Sequence, residues 1–268
     1  MRLITLGPAG TYCHRVALSM SETVSFHNSV TAIVKDVSEG KFDRGIIPVE
    51  NSIEGSVTES LSSIVTYDIA ILQEVVTPIK HALLAQSKTF DTITSHPQAI
   101  AQCRRFISSN YPDLQLEPTT STASGISQAI ESSSVAAIGH PESSNGKLKI
   151  IAKNIQDQSS NSTRFFVIAP PTRRQQKGTK TSVIIYPHSD YSGLLLEILQ
   201  TFSDKNLNLT RIESRPSGNK LGDYLFHIDF EAAYEDPAVK HVISKIKGII
   251  DPDGWIRFLG SYDVCHKQ

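Results

Sequence analysis

Cysteine is scarce in this chain: Cys13, Cys103 and Cys265 lie far apart among 268 residues, with no CxxC pair. That excludes a disulfide framework and a cysteine-built zinc site, and suits a reducing cytoplasm. Long apolar runs are also missing. No stretch approaches the ~18 consecutive apolar residues that a membrane helix requires, and the opening "MRLITLGPAG" enters a strand-like run without an apolar h-region or a small-residue cleavage site. Charge of one sign is not in excess, because 26 Lys and Arg face 27 Asp and Glu for a net −1. Neither a nucleic acid nor a membrane surface is therefore an expected partner. HExxH, GxSxG, a P-loop lysine and dinucleotide glycine spacing are all absent, so neither a metal nor an organic cofactor is expected.

What is present suits a soluble globular protein, with 39% hydrophobic and 20% charged residues. The length allows one large or two modest domains with real cores. One composition break stands out at residues 169–181, "APPTRRQQKGTKT", which has the prolines and polar run of an interdomain linker. Before it, strand-like runs ("RLITLG", "RGIIPVE", "TITSH", "SVAAIG", "LKIIAKNI") alternate with helical patterns ("GSVTESLSSIV", "PQAIAQCRRFISSN"). The alternation predicts α/β layers with a mostly parallel sheet, which place ligands at the loops beyond the strands' carboxyl ends. After the break the order reads β-α-β-β-α-β, the ferredoxin-like split unit, with Leu194, Ile198 and Phe202 on one helix stripe.

Polar clusters sit at the predicted strand exits. "GPAGT" places Pro8, Gly10 and Thr11 in a tight turn before a helix, which also serves as plain turn punctuation. "PVENSIEGS" puts Glu50, Asn51 and Ser52 in succession, as a helix cap or as ligand contacts. In "SHPQAIAQC", Ser95 or His96 can cap a helix starting at Pro97, and Gln98 and Gln102 share one face of it. "STAS" adds Ser121 and Thr122. The pair Thr163–Arg164 directly precedes the apolar run Phe165–Ala169. An arginine there either ends a strand toward water or points into a cleft that binds an anion.

Taken in order, "GPAGTY", "IPVENSIEGSV", "SHPQAIAQC", "STAS", "AAIG", "IQDQSSNSTRF", "NLNLTRIESRP" and "FLGSY" resemble the prephenate dehydratase family over nearly the whole chain. The resemblance implies a bilobed, type II periplasmic-binding-protein-like catalytic domain over 1–177, with one lobe about 1–75 plus 162–177 and the other about 76–161. It also implies an ACT regulatory domain over 182–268, a ferredoxin-like βαββαβ unit that binds L-phenylalanine at a homodimer or homotetramer interface. Expected effector contacts are Gly193, Leu194, Leu195, Asn208, Leu209, Thr210, Glu213, Ser214, Arg215 and Pro216. The chain departs from the family at Tyr12–Cys13, where Phe-Ser is common, and at Leu194, where alanine is common.

Under this resemblance the chain removes carbon dioxide and hydroxide from prephenate in the cytoplasm, without a cofactor, under feedback control. Arg164 is expected to fork onto the pyruvyl carboxylate, because a bidentate pair orients as well as binds. Thr163 is expected to donate to the ring hydroxyl. Glu50 and His96 are alternative acids, and Asn51, Gln102, Ser95, Ser121 and Thr122 are neutral donors around the substrate. Phe165 excludes water. Two alternatives remain open, arogenate dehydratase and a non-catalytic amino-acid sensor.

Overall fold

The computed structural model describes residues 1–267 apart from 145 and 221. In the first lobe, β1 (Leu3–Leu6) lies between the parallel strands β2 (Val24–His27) and β3 (Arg44–Asn51). The connecting helices α1 (Tyr12–Leu18) and α2 (Val30–Ser38) start where the Thr11 and Ser29 hydroxyls accept the amides of His14 and Ala32. Past β3 the chain turns at Gly55, whose φ of +80° suits glycine, through a two-residue strand β4 (Gly55–Ser56). The helix read from Gly55 therefore starts later, as α3 (Thr58–Thr66), because Gly55 and Ser56 pair back onto β3. Strand β5 (Ala70–Pro78) leaves for the second lobe and β11 (Ser162–Ala169) returns from it, antiparallel to both β5 and β3.

The second lobe contains β6 (Ala82–Ala85), β7 (Thr92–Ser95), α4 (Pro97–Gln102), α5 (Arg104–Asn110), β8 (Gln115–Pro118), α6 (Thr122–Glu131), β9 (Val135–Gly139) and β10 (Lys149–Lys153). Its sheet order is β10-β6-β9-β7-β8. One helix was expected over 97–110, but it breaks at Cys103 (φ −116°, ψ 17°). Cys103 is wholly buried among Leu83, Ile93 and Ile138, so the kink lets both short helices keep an apolar face on the sheet. Both lobes' sheets are mixed rather than mostly parallel. The two strands crossing between lobes, β5 and β11, pair antiparallel, as do β6 with β9 and β10.

The last third follows the expected order: β12 (Lys180–Tyr186), α7 (Leu194–Ser203), β13 (Leu209–Pro216), β14 (Tyr224–Phe230), α8 (Pro237–Ile249) and β15 (Trp255–His266). Its sheet runs β13-β14-β12-β15. The 12-residue β15 pairs antiparallel with β12 through Tyr262, then parallel with β5 from Asp263 onward. That single strand joins this sheet to the first lobe's, giving one ten-stranded sheet. The packing is shared as well: Ile47, Leu61 and Phe166 form one core cluster with Ile184, Leu225 and Tyr262. The stretch read as a linker is docked. Arg174 Nη2 donates to Ile69 O (2.9 Å), and Ser261 N donates to Gln175 O (2.8 Å). A side chain at Gly178 would meet Tyr262 N at 2.4 Å, so only glycine fits there.

Candidate active site

The two crossings between lobes leave a cleft of about 490 Å³ between the two sheets. Lobe one contributes Thr11, Tyr12, Asn51 and Ser56, and the returning strand β11 contributes Thr163. The second lobe contributes Gln98, Gln102, Ser121 and Thr122, with His81 and His96. A smaller hollow of about 270 Å³ lies beside it and shares Glu54, Gln98 and Gln102. The lobes also meet at the rim: Arg15 pairs with Glu142 at 2.6 Å, and the Tyr12 hydroxyl donates to Lys80 O at 2.7 Å.

A chain of amides ties the cleft together. Asn51 Oδ1 accepts the backbone amides of Ile53 (3.0 Å) and Glu54 (3.2 Å), which fixes that side chain's orientation. Its Nδ2 therefore donates to Thr163 Oγ1 (2.9 Å) and Asn161 Oδ1 (2.9 Å). Asn161 Nδ2 in turn donates to Gln102 Oε1 (3.0 Å), which lies 2.9 Å from His81 Nε2. Because Asn51 already supplies Thr163 with a donor, the Thr163 proton is free to point at a ligand. Ser121 caps α6 by accepting from Ser124 N, and His96 Nδ1 caps α4 by accepting from Gln98 N at 3.3 Å. Helix α3 begins at Val57 with no side-chain cap, so its first-turn amides are not taken by a side chain.

Several expected site residues lie elsewhere. Arg164 is not on the cleft. Alternation along β11 turns it away from Thr163, and its Nη2 lies 2.7 Å from both Glu74 Oε2 and Asp229 Oδ2. It stacks on Phe166, 4.9 Å from the ring centroid. Burial works against its charge, but Asp229 and Glu74 more than offset that and hold its pKa above the ordinary arginine value. Glu50 faces the same way, 3.4 Å from Arg164 Nη1 and 3.5 Å from Arg211 Nε. Ser52 Oγ accepts the Ser162 amide, and Ser95 Oγ is buried and donates to Ile138 O. Phe165 is enclosed in the core with Leu3 and Val16. Pro8 is exposed on the turn, and Gly10 (φ +90°) spends its amide on His14 Nδ1.

The expected effector residues gather on β13 and at the start of α7. Leu194 is buried in the core of the last third beside Ile198 and Phe202, and Leu195 is partly buried against it. Gly193 caps α7 at φ +99°. Asn208 Nδ2 donates to Glu231, and the Thr210 hydroxyl to Asp229 O. Along β13, Leu209, Arg211, Glu213 and Arg215 are half-buried, alternating with the exposed Thr210, Ile212, Ser214 and Pro216. The half-buried charged face touches the first lobe. The Ser56 hydroxyl donates to Glu213 Oε2 at 2.6 Å, Arg211 Nη2 donates to Ser56 Oγ at 2.9 Å, and Arg215 Nη2 donates to Ser62 Oγ at 3.1 Å. Sequence reasoning missed Ser56, Glu54 and His81 on the cleft and Asn161 beside it. Ser56, Glu54 and Asn161 lay inside motifs that carry the resemblance, in "IPVENSIEGSV" and "IQDQSSNSTRF". His81 carries no spacing signal at all.

Among the described residues, the groups of metal-ligand type that converge are His188, Asp251 and Asp253, at the surface and away from the cleft. No helix among the described residues is long and apolar enough to cross a membrane. Fold and cleft together define an α/β protein whose two sheets flank a small cleft, with a βαββαβ unit touching the cleft wall at Ser56. The comparisons narrow this class. The prephenate dehydratase family model matches residues 3–173. A prephenate dehydratase of Methanocaldococcus jannaschii is 34% identical, covering 96% of each chain. A bifunctional chorismate mutase/prephenate dehydratase of Aquifex aeolicus is 34% identical over 98% of this chain and 73% of its own. The crystal structure of an Arthrobacter aurescens prephenate dehydratase in complex with L-Phe superposes with a TM-score of 0.87 at 32% identity, covering 98% of this chain and 90% of that one. The chain belongs to the prephenate dehydratase family.

Proposed function

We propose that the cleft performs the decarboxylative dehydration of prephenate to phenylpyruvate, as a hydro-lyase that needs no electron-carrying cofactor. The substrate loses carbon dioxide and hydroxide, and formation of the aromatic ring drives both losses. What remains for the protein is to hold the dianion, exclude water and stabilise the departing hydroxyl. The single observation that carries this reading is Thr163, whose hydroxyl accepts from Asn51 and so keeps its own proton for the ring hydroxyl. Threonine is too weak an acid to give that proton up, so it acts as a positioned donor.

Lys and Arg are missing from the cleft lining among the described residues. The carboxylates are therefore met by neutral donors and helix starts: the uncapped first turn of α3 beside Ser56 and Val57, and Thr122 in the first turn of α6. This suits the chemistry. A cation clamped on the ring carboxylate would stabilise the charge that must leave.

The same reading assigns residues 1–177 to a catalytic domain of type II periplasmic-binding-protein kind, with lobes at about 1–75 plus 162–177 and 76–161. Residues 182–268 form an ACT domain. L-phenylalanine is its effector, taken near Gly193 and the exposed edge of β13, where a second copy completes a homodimer or homotetramer. The L-Phe complex of the Arthrobacter aurescens relative supports the effector's identity. The experiment is phenylpyruvate formation from prephenate with and without phenylalanine, with arogenate as a parallel substrate. Prephenate turnover suppressed by phenylalanine is expected. A preference for arogenate would change the substrate, and ligand binding without turnover of either would make the chain a sensor.

A further inference from the structure

We propose that His81 is the catalytic acid of the cleft, passing a proton from its Nδ1 to the hydroxide that leaves the substrate. This rests on the dehydratase reading above. His81 sits where the chain crosses from β5 to β6. The return crossing pins its backbone: its amide donates to Gln156 Oε1 (3.0 Å) and its carbonyl accepts from Ile155 N (3.0 Å). The ring lines the cleft yet is only 2% exposed. Gln102 Oε1 already accepts from Asn161, so the amide chain leading from Asn51 presents His81 with an acceptor and makes its Nε2 a donor. The other nitrogen, Nδ1, is buried without a hydrogen-bond partner among the described residues. Leaving such an atom unpaired is costly unless a ligand completes it.

The other titratable groups on the cleft are committed. His96 Nδ1 accepts the Gln98 amide, and Glu54 is exposed and accepts from Gln102 Nε2 at 3.4 Å. Burial pushes the Tyr12 phenol far up, and its hydroxyl is spent on Lys80 O. The hydroxyls of Thr163, Ser121 and Thr122 are too weakly acidic.

The step balances. The bond from the ring to its carboxylate breaks to give carbon dioxide, and its electron pair enters the ring. The ring carbon–oxygen bond breaks with its pair on oxygen, which takes the proton from Nδ1 and leaves as water. His81 ends neutral and is reprotonated from solvent.

Burial holds the free imidazole below the ordinary 6.5, against a smaller upward pull from Gln102. A dianionic substrate reverses that balance and stabilises the imidazolium in the complex. Among the described residues, His140 after β9 acts on the ring, and Lys80, Arg15, Glu142 and Tyr12 in turn lie about His140. Glu54 is reached through Gln102, and Cys103 at the α4–α5 junction acts on Tyr12. Arg15 is paired with Glu142.

The test is the pH dependence of prephenate turnover from about pH 5 to 9. In the wild type, kcat/KM is expected to fall tenfold per unit above a pKa under 6.5, and kcat to fall at higher pH because the bound dianion raises that pKa. His81→Gln should lower kcat by about 10²–10⁴-fold and abolish the limb. Gln102→Glu, which sets a carboxylate against Nε2, should move the limb upward and keeps the proposal testable if His81→Gln fails to fold. A limb unmoved in Gln102→Glu, a limb retained in His81→Gln, or a limb lost in His140→Gln overturns the assignment while wild-type turnover leaves the dehydratase reading intact. No wild-type turnover of prephenate overturns both.

Discussion

Thr163 and Arg164 are consecutive residues on β11 that serve opposite sides of the sheet. Thr163 Oγ1 lies 2.9 Å from Asn51 Nδ2 at the cleft, and Arg164 Nη2 lies 2.7 Å from Asp229 Oδ2 of the βαββαβ unit. Asp229 is further tied to Ser182 at 2.5 Å, and Ser182 to the Tyr262 hydroxyl at 2.6 Å. Lys180 reaches Glu74 at 2.9 Å from the same side. The pair therefore links the cleft face to the face where the last third docks, through one length of backbone.

Removing one member of that buried network leaves a charge without its partner. Arg164→Met and Asp229→Asn should each lower the unfolding free energy by about 3–5 kcal/mol. Made together, they should cost less than the sum of the two, because the second change removes the orphan left by the first. Urea unfolding midpoints of the two single variants and the double variant measure this. Unchanged stability with a raised KM for prephenate would instead restore Arg164 as the substrate's carboxylate fork.

Acid should act through the same carboxylate. Burial raises the pKa of Asp229, yet Arg164, Arg211 and the Ser182 hydroxyl outweigh it and hold the group below the ordinary 3.8. A depressed folded pKa gives stability that is full above the unfolded value and lost as pH falls through the folded one. The thermal midpoint should therefore decline below pH 3.8, and the Asp229→Asn variant should decline less steeply over that window. Parallel curves for the two proteins would assign the acid loss to other groups.

Thr163→Ala tests the cleft directly. It removes the one hydroxyl that the amide chain presents with a free proton, so kcat should fall by about 10²–10³-fold, as for other single preorganised donors. Asn51 would then have lost an acceptor but kept Asn161 Oδ1 and Ser162 O, so the fold should survive. Thr163→Ser should restore most of the rate. Turnover near that of the wild type in the alanine variant would remove Thr163 from the mechanism.

Sequence reasoning reached the elements of the last third because each is amphipathic at one clear period, such as Leu194, Ile198 and Phe202 along α7. It could not see that β15 runs on to pair with β5, since nothing in "WIRFLGSYDVCH" marks where one partner ends and the next begins. The docked segment 170–179 misled for a related reason. Proline, glycine and polar residues signal a break in regular structure, and this segment attaches largely through backbone contacts such as Ser261 N to Gln175 O. At the site, Thr163, Asn51 and Gln102 were legible as polar residues at strand and helix ends. The direction of Arg164 was not, because alternation shows that neighbours diverge without showing which of them meets the ligand. His81 stayed hidden because a single histidine in an apolar stretch is indistinguishable from core packing until the fold opens a cleft beside it.

The contact between β13 and the cleft wall carries the last prediction. Glu213 is among the expected effector contacts, and its carboxylate accepts the Ser56 hydroxyl at 2.6 Å while Arg211 bridges both. Ser56 itself lines the cleft. An effector that engages Glu213 would have to compete with this hydrogen bond, and the two sites would then exchange free energy through one side chain. Glu213→Gln replaces a charged acceptor with a neutral one and should weaken the coupling. The phenylalanine concentration for half-inhibition is expected to rise by about 5–150-fold, the range of ordinary coupling energies. Calorimetric binding of phenylalanine with and without phenylpyruvate separates the possibilities. If coupling is lost, the two titrations of the variant coincide, whereas those of the wild type differ. If instead the variant binds phenylalanine weakly but keeps the full difference, Glu213 is an effector contact and the path to the cleft lies through Arg215 and Ser62.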